Sequence, residues 1–258
     1  MQAALNQPAV YAQSLWLKAM ARMHLRPEPL PLWAPPCLLR TRGTGIAPLY
    51  DDVFLRRLYE SPAPMPHAPR IVDAGGHLGL ASLYFVTRYP DCQLTVIEAN
   101  PHLAELLRKN LAAWASRVEI LEAALSTQDG ELEFHVKRDN LLAVTGAIES
   151  RERAGLEMST FKVKSLDARS VLSEPVDLMK LDVEGHEYQL LRLPQFEPGL
   201  VKRLIVEFHD VDRRRAEFEE VTTLLIAQRG YRVASDENVA LGLPQVHQLE
   251  GCPVLKLY

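Results

Sequence analysis

RIVDAGGHLG, residues 70 to 79, decides the fold. Ile71, Val72 and Ala74 form a short apolar run suited to a strand buried on both faces. Gly75, Gly76 and Gly79 then let the chain turn sharply into LASLYFVTRYP, 80 to 90, whose apolar residues have helical spacing. The alternation continues downstream. QLTVIEA (93 to 99) reads as a strand, PHLAELLRKNLAAW (101 to 114) as a helix opened by Pro101, and RVEILEA (117 to 123) as a strand. VDLMKLDVE (176 to 184) and VKRLIVEFH (201 to 209) are further buried strands, with helices predicted over 186 to 193 and 213 to 230, the second closed by Gly230. Such repetition predicts an α/β fold with a mostly parallel sheet, which YRVA (231 to 234) and CPVLKLY (252 to 258) should finish. ELEFHV (131 to 136) and TFKVK (160 to 164) alternate apolar and polar residues, as an antiparallel pair would, and the polar stretch 137 to 159 between them is long enough for a lid.

Upstream of this region the pattern differs. Residues 9 to 25 carry Val10, Leu15, Leu17, Met20 and Leu25 at roughly helical spacing. Pro27, Pro29, Pro31, Pro35 and Pro36 then forbid regular helix, and Asp51 and Asp52 are expected to cap a short helix through Leu55, Leu58 and Tyr59. The proline cluster SPAPMPHAP, 61 to 69, marks a joint. The chain thus divides into a helical, Pro-rich N-terminal appendage (1–69) and a main domain (70–258). Trp16, Trp33, Tyr50 and Phe54 are expected to pack the appendage onto that domain.

Composition narrows the functional classes. The 258 residues are 47% hydrophobic and 24% charged, values of an ordinary globular protein rather than a disordered or disulfide-framed one. Lys and Arg number 29 against 33 Asp and Glu, so no broad cationic surface suggests a nucleic-acid partner. Cys37, Cys92 and Cys252 are odd in number and widely spaced, which points to a reducing compartment; no secretory signal or membrane-length apolar run is evident, and the expectation is a cytoplasmic protein. Oligomeric state is left open.

Three clusters carry chemistry. In VDAGGHLG (72 to 79), Asp73, Gly75, Gly76, His77 and Gly79 sit where a strand runs into a helix, a place where backbone can approach a ligand closely. His77 stands where a dinucleotide fingerprint would have its middle glycine. Glu98, nineteen residues beyond Gly79, ends the second strand and can accept both hydroxyls of a ribose. In KLDVEGHE (180 to 187), an amine, three carboxylates and an imidazole crowd a strand end, an expensive arrangement unless it serves water, ligand or metal. Alternation along the strand puts Lys180, Asp182 and Glu184 on one face, and in VEFHD (206 to 210) it puts Glu207 and His209 on one face of the next. The run Arg213 to Arg215 reads as a solvated helix start.

Taken in order, VDAGGHLG, IEANP (97 to 101), EAALS (122 to 126) with Asp129 and Gly130, SLD (165 to 167), KLDVEGHE and VEFH resemble the FkbM-type S-adenosylmethionine-dependent methyltransferases. The D-[VI]-E-G-x-E string, here Asp182 to Glu187, is the most specific of these signatures; GGH at 75 to 77 departs from the usual G-A-N. The resemblance implies a class I methyltransferase sheet, Rossmann-like and mostly parallel. It implies S-adenosylmethionine bound by Asp73, Gly75, Gly76, His77, Gly79, Glu98, Ala123, Ala124 and Asp182. It further implies methylation of a hydroxyl on a sugar, polyketide or other small molecule. His186 and His209 are then the first candidates for the base that takes the hydroxyl proton, with Glu184 and Glu207 as orienting partners. Related sugar O-methyltransferases use a divalent cation, and Asp182, Glu207 and Asp210 offer hard oxygens of the kind Mg²⁺ prefers, although no metal ligand is assigned on sequence alone. Two other readings use the same crevice: a nicotinamide-dependent oxidoreductase and a noncatalytic S-adenosylmethionine-binding module.

Overall fold

The computed structural model describes residues 6–25, 27–42, 45–137 and 158–258. Helix α1 (Gln7–Arg22) starts on the side chain of Asn6, which accepts a hydrogen bond from the Ala9 amide, and it ends three residues before the sequence pattern suggests. An antiparallel ribbon follows, β1 (Leu30–Trp33) and β2 (Pro36–Leu39), where the prolines had argued only against helix. A two-stranded ribbon is all edge, so Pro31 and Pro36 cost it no interior ladder bond. Gln13 of α1 braces it, accepting from the Trp33 amide at 2.8 Å.

Helix α2 (Ala47–Tyr50) runs into a wide turn, Asp51–Leu55. Asp51 and Asp52 therefore lie inside helical structure rather than capping it. Pro48 in the first turn fixes an earlier start, and the two carboxylates pair with Lys18 and Arg56 instead.

The main sheet contains β3 (Arg70–Ala74), β4 (Gln93–Glu98), β5 (Val118–Glu122), β9 (Leu178–Leu181), β10 (Leu204–Glu207), β11 (Val233–Ala234), β12 (Ala240–Leu241) and β13 (Val254–Leu257), in the order β12-β11-β13-β10-β9-β3-β4-β5. Strands β10, β9, β3, β4 and β5 are parallel, and β13 enters antiparallel beside β10. The fold is the expected α/β type with a mostly parallel sheet. A smaller sheet holds β6 (Ala124–Ser126), β8 (Met158–Asp167) and β7 (Gly130–Lys137), with Phe134 opposite Phe161 in the antiparallel pair. Most of the expected lid, 138–157, lies outside the described residues.

Side-chain alternation along β3 sends Ile71 to one face of the sheet and Val72 and Ala74 to the other. Helices α3 (Leu80–Arg88) and α4 (Pro101–Asn110) cover the first face; α5 (Ala168–Val171), α6 (Glu187–Leu191), α7 (Arg215–Thr223) and α8 (Leu243–Val246) supply apolar residues to the second. The N-terminal segment shares the first core. Tyr50 stacks on Phe54 at 4.8 Å between ring centroids, Phe54 meets Tyr84 edge-on, and Tyr84 meets Phe85. Strands β4 and β5 leave β3 on one side while β9 and β10 lie on the other, so the chain reverses its direction of travel at β3. In open α/β sheets such a switch point opens a crevice beyond the carboxyl ends of the strands.

Deleting residues 1 to 60 should strip the cover from Tyr84 and Phe85, both fully buried. Loss of a buried aromatic's packing costs about 3–5 kcal/mol, a large part of a domain's net stability of about 5–15 kcal/mol. The truncated chain is expected to show no cooperative thermal transition by circular dichroism where the full chain shows one.

Candidate functional site

The switch-point crevice is lined where β3, β4 and β9 end. Gly75 adopts φ 91°, and a Cβ there would collide with the Asp182 carbonyl oxygen. Its amide and that of Gly76 both donate to the Ile97 carbonyl, at 2.9 and 3.1 Å, which draws the glycine turn against the end of β4. Glu98 completes this join. One carboxylate oxygen accepts from the His77 amide at 2.7 Å and the other from the Asn100 amide at 2.8 Å. Burial pushes the Glu98 carboxyl up to about 7, against the pull of those two amides.

Behind the crevice sits a buried charge centre. Asp73 and Lys180 are partners across the β3–β9 register, and their side chains project to the same face. Lys180 Nζ donates to the Gly75 carbonyl at 2.8 Å, lies 3.3 Å from Asp73 and 3.2 Å from Asp182, and stands 5.2 Å above the Tyr59 ring. Burial opposes its charge, but Asp182 and Asp73 hold its pKa well above the ordinary lysine value. Asp73 accepts from Ser82 at 2.6 Å and is fully buried.

The string DVEGHE folds around its last member. The buried Glu187 carboxylate accepts from the amides of Val183 at 3.0 Å and Gly185 at 2.9 Å, and from His209 Nδ1 at 2.9 Å. To wrap the carboxylate in this way the chain takes φ 57° at Glu184 and 108° at Gly185. With Nδ1 held by Glu187, Nε2 of His209 faces Glu184, Asp182 and Glu207 at 3.6, 3.8 and 3.9 Å. Burial opposes protonation of His209, but the hydrogen bond and charge of Glu187, followed by Glu184 and Asp182, push its pKa up to about 10. Glu207 is raised to about 7 by burial and then by Asp182. Arg214 donates to the Gly185 carbonyl at 2.6 Å and lies 4.2 Å over the Tyr188 ring, so it braces this loop instead of forming the solvated face expected of it.

Two cavities share these residues. One, with about 630 Å³ of empty space counting the open solvent at its mouth, is lined by Gly75, His77, Glu98, Ala123, Ala124 and Asp182 together with Glu184 and the apolar Ile97, Leu103, Leu125, Phe134 and Val183. Thus six of the nine residues expected to hold the donor lie on one surface. The other three do not reach it. Asp73 is spent on Lys180 and Ser82, and Gly76 and Gly79 pack closely against Val96 and Leu107. Asn100, which also lines this cavity, was legible in sequence only as the helix start before Pro101. The second cavity adjoins at Asp182 and Glu184 and adds Glu207, Asp52, Arg56, Tyr59, Asp236 and Cys252 among its walls. Glu184 and Glu207 line the second cavity; His209 lines neither cavity, and nor does His186. Its ring is buried beside Ser126, with Nε2 3.3 Å from the hydroxyl, and burial lowers its pKa. Asp182, Glu207 and His209 bring three ligand atoms within 4.8 Å of one another; His209, not Asp210, is the third member.

A model of the methyltransferase FkbM domain family matches residues 73–233, more than half of the chain. The chain belongs to the FkbM methyltransferase family. Among curated relatives, methyltransferase sdnD of Sordaria araneosa is 27% identical over 221 residues, covering 73% of this chain and 83% of its own length. Methyltransferase 1 of Beauveria bassiana is 26% identical over 207 residues, covering 72% and 81%. Precorrin-6y C5,15-methyltransferase of Geobacter metallireducens aligns in structure at 12% identity and a TM-score of 0.42, over 79% of this chain and 86% of that one. The FkbM protein is thus a methyltransferase, and its sheet is the mostly parallel α/β sheet described above. Membership of this family implies S-adenosylmethionine as donor and sets aside the nicotinamide-dependent and noncatalytic alternatives. No helix among the described residues is long and apolar enough to cross a membrane.

Replacing Lys180 with Met should leave Asp73 as a buried, uncompensated charge, at a cost of about 3–5 kcal/mol in urea denaturation. Glu98 supplies a pH test. Its folded pKa, about 7, lies above the ordinary carboxylate value, so folding binds its proton more tightly and stability falls as pH rises toward 7. The wild type should lose on the order of 3 kcal/mol across this window relative to Glu98→Gln, whose side chain does not titrate. Parallel stability-versus-pH curves for the two proteins would contradict this.

Proposed function

We propose that this FkbM methyltransferase transfers the methyl group of S-adenosylmethionine to a hydroxyl oxygen of a small molecule. The observation that carries the reading is the meeting of two cavities at Asp182 and Glu184, which gives donor and acceptor adjoining rooms. The first room suits the donor. Glu98 sits where a carboxylate can accept ribose hydroxyls, and Ile97, Leu103, Leu125 and Phe134 offer apolar walls to an adenine. S-adenosylmethionine, when bound, supplies an electrophilic methyl on a sulfonium sulfur.

The residues of this chain then do two things. Asp182 and Glu184 align the two ligands at the boundary, and positioning alone can supply about 7–11 kcal/mol of the barrier. The hydroxyl proton passes to the carboxylates of the boundary, among which Glu184 faces both rooms. The second room also argues for the class of acceptor. Asp52, Asp182, Glu184, Glu207 and Asp236 give it an acidic wall, and Arg56 is already paired with Asp52 at 3.0 Å and Asp236 at 3.1 Å. A polyphosphate backbone would be repelled there, whereas a neutral polyol would find hydrogen-bond acceptors.

Calorimetric titration with S-adenosylmethionine should show one saturable site, weakened about 10- to 100-fold by Glu98→Ala, as expected for loss of hydrogen bonds to a charged group. Incubation of donor-loaded protein with sugar and polyketide alcohols should yield a methyl ether detectable by mass spectrometry, and Glu184→Gln should slow it even at saturating donor. Absence of donor binding by folded protein would overturn the assignment, and a product methylated on nitrogen or carbon would overturn the hydroxyl acceptor.

A further inference from the structure

We infer that the outer face of the N-terminal segment, helix α1 together with the β1–β2 ribbon, docks on the surface of an anionic lipid bilayer, lying on it rather than spanning it. The helix is turned inside out. Its neutral polar residues Gln13 and Ser14 are buried, at 0% and 1% exposure, whereas Tyr11 and Leu15 stand in solvent at 56% and 50%. A surface helix of a globular domain shows the reverse. The inward turn of Gln13 serves the ribbon, since its side chain accepts from the Trp33 amide at 2.8 Å and donates to the Pro31 carbonyl at 3.4 Å. Nothing among the described residues covers Tyr11 and Leu15.

The ribbon repeats the pattern. Pro31 stands opposite Leu38 and Trp33 opposite Pro36, and alternation along the strands turns all four to solvent. Trp33 is 40% exposed and Leu38 57%. The rings of Trp16 and Trp33, 5.2 Å apart between centroids, join this face to the helix. Contiguous apolar surface of this kind marks a binding face, unlike apolar residues exposed singly.

Charge names the occupant. Residues 1–50 carry five Lys and Arg against one Glu, while residues 51–258 carry 24 against 32 Asp and Glu. The one acid, Glu28, is engaged by the amide and hydroxyl of Thr41, each at 2.9 Å. Tyr11, Leu15, Lys18 and Arg22 follow one another at helical spacing, so cations stand in the apolar row itself. A second copy docked face to face would set like charges against each other. A folded protein partner calls for directional hydrogen bonds, about ten in an ordinary interface, yet the neutral polar side chains of α1 point inward. A bilayer asks for no such directionality. Its headgroup layer takes up aromatic and aliphatic side chains while its phosphates attract the ammonium and guanidinium groups.

The test is cosedimentation of the full chain with sucrose-loaded vesicles, either pure phosphatidylcholine or an equal mixture with phosphatidylglycerol. Binding is expected to the anionic vesicles, with loss in molar NaCl and on pure phosphatidylcholine. Leu15→Glu and Leu38→Glu should each weaken it about 10- to 100-fold. Lys18 is already paired with Asp51, so Arg22 is the cation to remove; Arg22→Ala should cost about 5-fold, the worth of one charge near an anionic surface. Val239→Glu, at an equally exposed apolar position beside β12, should leave binding unchanged. Circular dichroism monitors folding, and should Leu38→Glu disturb the ribbon, Tyr11→Glu carries the same comparison. No sedimentation with anionic vesicles, or equal sedimentation of wild type and Leu15→Glu, overturns the lipid surface. A dimer in analytical ultracentrifugation that Leu15→Glu dissociates also overturns it, and gives the face to a second copy. Equal binding to both kinds of vesicle overturns the part assigned to charge. Neither S-adenosylmethionine nor an acceptor enters these measurements, so their outcome is independent of the methyl-transfer reading.

Discussion

One buried carboxylate organises the cleft. Glu187 has no solvent contact, yet it gathers two amides of its own loop and the imidazole of His209, just beyond the end of β10. A carboxylate so placed tolerates burial because every donor around it is spent on the charge. The consequences spread outward from there. Wrapping the loop forces left-handed backbone at Glu184 and Gly185, and this ends the alternation of β9 and swings Glu184 to the boundary between the cavities. Fixing His209 sets the direction of its other nitrogen. Tyr188 adds a second tie by donating to the His209 carbonyl at 2.7 Å, so loop and strand end move as one unit.

Such a concentration of negative charge needs a counterweight, and Lys180 provides it from beneath. It is set one register pair from the strand end, against Asp73, and reaches up to Asp182 and to the Gly75 carbonyl. The same lysine therefore neutralises the acidic floor and clamps the glycine turn to the neighbouring strand. Gly75 is required by this arrangement, since a side chain there would strike the Asp182 backbone. The turn is shaped by the closeness of β3 and β9.

Much of this was legible in the sequence, for a physical reason. The apolar runs of the parallel strands are short, unbroken and separated by helical spacing, so the order of elements from 70 to 209 follows from periodicity. The clusters after β3, β4, β9 and β10 converge because parallel strands deliver all their carboxyl ends to one edge. What periodicity does not encode is the direction of individual side chains in irregular backbone. His186 and Glu187 are neighbours in a charged string, of which the sequence reading singles out only His186 as a base. The tight turn at Glu184 and Gly185 buries both, one beside Ser126 and the other as the hub. Asp73, Gly76 and Gly79 looked like ligand contacts because the motif is read as a unit, whereas three of its members serve packing and charge balance. The β1–β2 ribbon escaped notice because proline argues against helix without indicating what replaces it.

The boundary of the family match explains why the donor is easier to name than the acceptor. Every residue lining the first cavity falls between Gly75 and Glu184, inside the matched span of 73 to 233. The second cavity takes Asp182, Glu184 and Glu207 from that span, but most of its remaining wall, Leu49 to Tyr59 on one side and Leu249 to Leu255 on the other, lies beyond it. The N-terminal segment is thus both a cover for α3 and a wall of the proposed acceptor room. Its packing against Tyr84 through Tyr50 and Phe54 ties the position of that wall to the stability of the main sheet. On the proposed reading, a change of acceptor can arise by altering residues such as Asp52, Arg56 or Tyr59 while the first cavity, the Lys180 centre and the Glu187 hub are left as they are.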